Sequence, residues 1–65
     1  MPRTVCIDHE TGLNLAVYPD LMKQVAAGNE FFVGQRRYLV VEVVLPSDPY
    51  AEDAQLIVTL KEAKQ

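Results

Sequence analysis

The ten residues Arg36–Leu45, RRYLVVEVVL, restrict what this chain can fold into more than any other stretch. Seven of its ten residues are apolar and four are valine, and this β-branched content predicts a strand rather than a surface helix. Alternation places Arg37, Leu39, Val41, Val43 and Leu45 on one face, and Arg36, Tyr38, Val40, Glu42 and Val44 on the other. Both faces are apolar, so the run reads as a central strand that needs cover on each side. In this reading the odd-numbered face is the main core and Val41 sits at its middle. Val41→Asp is then expected to unfold the chain by burying an unpaired charge.

The remaining elements follow from period and turn chemistry. Thr4–Asp8 and Leu13–Tyr18 alternate and are expected to form a hairpin across Asp8-His9-Glu10-Thr11-Gly12. Pro19 and Asp20 end the second strand and open a short helix, with Leu21, Met22, Val25 and Ala26 on its apolar side and Gly28-Asn29 at its stop. Glu30–Val33 is strand-like. Gly34-Gln35 then suits a two-residue type II′ turn, with Val33 and Arg36 flanking it. Residues 46–54, PSDPYAEDA, form an exposed loop with three acids and no base. Gln55–Leu60 returns to alternation, and its consecutive Ile57, Val58 and Thr59 favour strand over a competing helix across Leu56–Lys64. Residues 61–65 are expected to fray.

The order ββαβββ predicts a β-rich α+β fold. Its form is a small bent antiparallel sheet, or an SH3-like, partly open barrel of about five strands with one short helix. Sixty-five residues make one small domain, whose core is modest at this size. The glycine turn and the arginine-tyrosine strand after it, Gly34–Val40, resemble patterns common to small barrels. That likeness is generic and names no family.

Composition narrows the functions. The chain holds one cysteine, Cys6, and so no internal disulfide, which fits a reducing cytoplasm. No apolar run is long enough for a signal peptide or a spanning helix, so a soluble cytoplasmic protein without membrane contact is expected. Six bases against nine acids, a net charge of −3, disfavour a general nucleic-acid binder.

Chemistry-bearing clusters are few. Cys6, Asp8, His9 and Glu10 have metal-ligand side chains, but one cysteine and one histidine fall short of the paired spacings of a zinc site. Cys6 with His9 lacks an orienting third group for covalent catalysis. Gly12, Gly28 and Gly34 are isolated and form no phosphate loop. The acids Asp48, Glu52 and Asp53 lack the register of a calcium loop. No catalytic residue, metal or cofactor is therefore expected.

The surplus is apolar. Cys6, Ala16, Tyr18, Phe32, Tyr38, Val40, Val44 and Ile57 fall on the secondary faces of their strands, and a two-turn helix cannot cover them all. The expected function is a small non-enzymatic protein-binding or assembly module. Its candidate surface is Phe32, Tyr38, Val40, Val44 and Tyr50, and its partner another protein or a second copy in a homodimer. The alternative is a small nucleic-acid-associated regulator. That reading rests on Arg36 and Arg37 beside the aromatics of the hairpin, Phe31, Phe32 and Tyr38.

Overall fold

The computed structural model describes residues 2–22 and 25–63. Within them lie β1 (Arg3–Asp8), β2 (Asn14–Tyr18), β3 (Glu30–Val33), β4 (Arg36–Val44) and β5 (Gln55–Glu62). The strands form one sheet in the order β2-β1-β5-β4-β3, curled into a half-barrel. Curling brings the rings of Tyr18 on one edge strand and Phe31 on the other into edge-to-face contact, with centroids 6.0 Å apart.

The β-rich class and the five strands agree with the sequence reading, and three features do not. First, β1 and β5 pair in parallel, from Arg3 opposite Gln55 to Asp8 opposite Leu60, so the sheet is mixed and not antiparallel. Second, the centre of the sheet is β5, not the Arg36–Leu45 run. Its inward residues Leu56, Val58 and Leu60 are buried, and they meet Cys6 on one side and Val40 and Val43 on the other. Strand β5 also continues through Glu62, and the Ala63 amide still donates to the Arg37 carbonyl at 3.1 Å, so pairing reaches into the segment expected to fray.

Third, no helix occurs among the described residues, although Lys23 and Gln24 of the expected helix lie outside them. Thr4 shows what holds this segment instead. Its buried hydroxyl donates to the Asp20 carbonyl at 2.6 Å and accepts from the Met22 amide at 2.9 Å. The β1 side chain thus occupies two backbone groups at the point where a helix would start. Six or so residues gain too little from helical hydrogen bonding to resist this. Leu21, Met22 and Val25 still pack on the core, as the apolar spacing requires, but from irregular backbone.

A bulge explains why the Arg36–Leu45 run looks apolar on both faces. Val40 pairs with Leu60, and the next partners are Glu42 and Thr59, so Val41 is an extra residue on β4. Before the bulge the even positions Tyr38 and Val40 face the core. After it the odd position Val43 does, and Val44 points outward. The odd-face core, with Val41 at its centre, is therefore overturned: Val40 is 2% exposed and Val41 38%. The Val40 backbone is fixed from the other side, accepting from Gly28 at 2.8 Å and donating to Asn29 at 2.9 Å.

The hairpin between β3 and β4 follows the sequence expectation. Val33 pairs with Arg36, and Gly34 takes a φ of 61°. Gln35 has no positive φ, which matches type II′ and not type I′.

Candidate functional site

Strand register builds the outer face of the sheet. Val17 on β2 pairs with Val5 on β1, Val5 with Ile57 on β5, and Ile57 with Val44 on β4. Four apolar side chains therefore cross four strands in one row, opposite to the core. Val17 and Val44 at its ends are exposed, whereas Val5 is shielded between its neighbours. One side of the row is bordered by Arg3, which donates to the Gln55 side chain at 2.9 and 3.1 Å. The other is bordered by Glu42 and Thr59.

A second exposed group lies farther along the same face, where Phe32 and Leu39 stand near Arg37. Arg37 reaches Glu30 at 4.0 Å, and Arg36 is on the opposite face, as alternation requires. Arg37 and Lys61 also line a cleft of about 680 Å³ that carries four acids, Asp8, Glu10, Glu30 and Glu62. Acids outnumber bases there, which weakens its attraction for phosphate.

The five residues of the candidate surface are thus divided. Phe32, Val44 and Tyr50 are exposed, Tyr50 at 90% in the loop between β4 and β5. Tyr38 and Val40 are in the core, because the bulge reverses which parity of β4 faces inward. The sequence reading places neither the exposed Val17 nor the buried Val5 in an outer row. Their own strand alternation assigned them to a core face, and only pairing with Ile57 reveals the row.

The metal-type residues near the first turn are drawn apart. Cys6 is buried in the core, whereas His9 and Glu10 are exposed in the turn. Asp8 is committed to the turn itself: its carboxylate accepts from the Glu10 amide at 3.2 Å and from the Thr11 hydroxyl at 2.9 Å. Among the described residues, no group of three or more His, Cys, Asp or Glu side chains is arranged to hold a metal ion.

Burial pushes the Cys6 thiol above its ordinary pKa, because the thiolate is poorly solvated there. The folded state therefore holds this proton more tightly than the unfolded chain. Its contribution to stability is complete below the ordinary value of 9.0 and is lost as pH rises from there through the higher folded pKa. Urea unfolding at pH 7 and pH 10 should show a fall in stability that Cys6→Ala reduces. An equal fall in both proteins would assign the alkaline loss to other groups.

An apolar cavity of about 420 Å³ lies at the other end of the molecule. Leu56 and Val43 contribute from the sheet, Leu21, Met22 and Val25 from the segment held by Thr4, Leu45 from just beyond the end of β4, and Pro46 and Pro49 from the acidic loop. No described helix is long and apolar enough to cross a membrane. Comparison with protein-family models, with curated proteins and with solved structures finds no match to this chain.

Proposed function

We propose that this chain is a small, non-enzymatic protein-binding or assembly module of the cytoplasm, whose contact surface is the outer face of the half-barrel. The row Val17–Val5–Ile57–Val44 carries the reading: it is a continuous apolar strip of four side chains on a face that the core does not use. A small domain that leaves the ends of such a strip, Val17 and Val44, in water gains by covering them with another protein or a second copy. Phe32 and Leu39 extend the apolar surface beyond Glu42 and Thr59. Among the described residues β2 and β3 are the outer strands of the sheet, and their edges supply backbone for strand addition.

The nucleic-acid alternative has less support. Arg36 and Arg37 do not share a face, and Arg37 stands beside Glu30 in a cleft dominated by acids. A phosphate-binding site would need these bases to act together, with binding that weakens steeply as salt rises.

Light scattering over a wide concentration range, at low and high salt, together with affinity capture on immobilised protein, tests the proposal. Self-association or a specific captured protein should survive high salt, be lost in Val17→Lys with Val44→Lys, and persist in Arg36→Glu with Arg37→Glu. A monomer that captures nothing specific would remove the proposal. So would association that the valine pair leaves untouched.

A further inference from the structure

We propose that Tyr50 is an aromatic lid for the apolar cavity beneath the acidic loop, and that the conformation described here is the open member of an open and closed pair. Two placements carry the inference. Tyr50 is 90% exposed, the most exposed of the large apolar side chains among the described residues. It also directly follows Pro49, which lines the cavity together with Met22, Val25 and Leu56. A tyrosine ring has about 150–250 Å² to withdraw from water, and its hydroxyl can stay at a wet rim while the ring is covered. The cavity wall is apolar and offers the ring no competing polar partner.

Closure asks little of the backbone. The loop is already turned at Asp48, whose side chain accepts from the Tyr50 amide at 3.0 Å and whose carbonyl accepts from the Ala51 amide at 3.2 Å. Rotation about the Tyr50 side-chain bonds leaves both hydrogen bonds in place, and such rotations take picoseconds to nanoseconds. The apolar gain is therefore opposed mainly by the rotamer freedom of one side chain. The closed state buries the ring and also shields Met22 and Val25, which are only partly buried, from water. The inference is independent of the proposed contact face, which does not include Tyr50.

Nuclear Overhauser contacts and tyrosine nitration by tetranitromethane, mapped to Tyr50 by peptide analysis, test it on the full chain. In the closed state the ring of Tyr50 gives contacts to the Met22 and Leu56 methyl groups at low protein concentration. Its nitration is slowed about tenfold or more relative to a peptide of residues 46–54, as a minor open state of a tenth or less requires. Tyr50→Ser lowers Tm by about 4–8 °C, Tyr50→Phe does not, and Leu13→Ser at another exposed loop site does not. Nitration at the peptide's rate without contacts to Met22 or Leu56 would overturn the lid. Contacts that arise only between differently labelled copies would also overturn it, since a second copy's ring would then fill the cavity.

Discussion

Val40→Asp abolishes folding, whereas Val41→Asp, one residue along the same strand, folds. Val40 is 2% exposed and stands opposite Leu60, itself without exposure, in the apolar interior. A carboxylate placed there loses its water and meets no base, which costs several kcal/mol whether it remains charged or takes up a proton. A domain this small sits toward the lower end of about 3–10 kcal/mol of total stability, so a loss of about 4 kcal/mol or more empties the folded state. Val41 is the extra residue of the bulge and is 38% exposed. Its carboxylate reaches solvent, and the substitution should cost about 1 kcal/mol or less. Far-ultraviolet circular dichroism with urea unfolding separates the two. An unfolded Val41→Asp protein beside a folded Val40→Asp protein would restore the odd-face core and eliminate the bulge.

Thr4→Val should be the most damaging isosteric change in the molecule. The hydroxyl serves two backbone groups at once, the Asp20 carbonyl and the Met22 amide, and replacing it by a methyl group leaves both without that partner. Groups left unsatisfied in partly buried surroundings cost about 1–3 kcal/mol each, so a combined loss of about 2–6 kcal/mol is expected. Thr4→Ser keeps both hydrogen bonds and should lose about 1 kcal/mol with its methyl group. Hydrogen exchange gives the local reading: the Met22 amide should exchange faster in Thr4→Val and near the wild-type rate in Thr4→Ser. Equal stability of the valine and serine variants would mean that the hydroxyl does not hold this segment.

The legible parts of the fold were those with local causes. Glu30–Val33, the Gly34 turn and the start of β4 at Arg36 are written in a glycine between two alternating runs, and the structure places them there. Three consecutive β-branched residues, Ile57, Val58 and Thr59, favour strand at Gln55–Leu60, and β5 lies there. The helix reading used a real signal, since Leu21, Met22 and Val25 do pack on the core. Apolar spacing does not distinguish a helix from irregular backbone anchored by a distant side chain, and Thr4 is 16 residues from Asp20.

The candidate surface was legible only in part for the same reason. Phe32, Val44 and Tyr50 are exposed, but Tyr38 and Val40 are buried because one extra residue shifts the parity of β4. A period of two has no memory of face once a bulge is inserted, so the run Val40-Val41-Glu42-Val43 does not reveal which of its valines is the extra one.

Local rules are enough to make this chain β-rich, to set where its strands lie and to choose the turn that joins β3 to β4, because side-chain sterics and glycine conformations act over a few residues. Tertiary structure decided that β5 is central, that β1 runs parallel to it, and that Val17, Val5, Ile57 and Val44 share a row. Those facts depend on pairing between segments some fifty residues apart, such as Val5 with Ile57. Such pairings are selected by the joint burial of Cys6, Val40, Leu56, Val58 and Leu60, a property of the assembled sheet that no single strand contains.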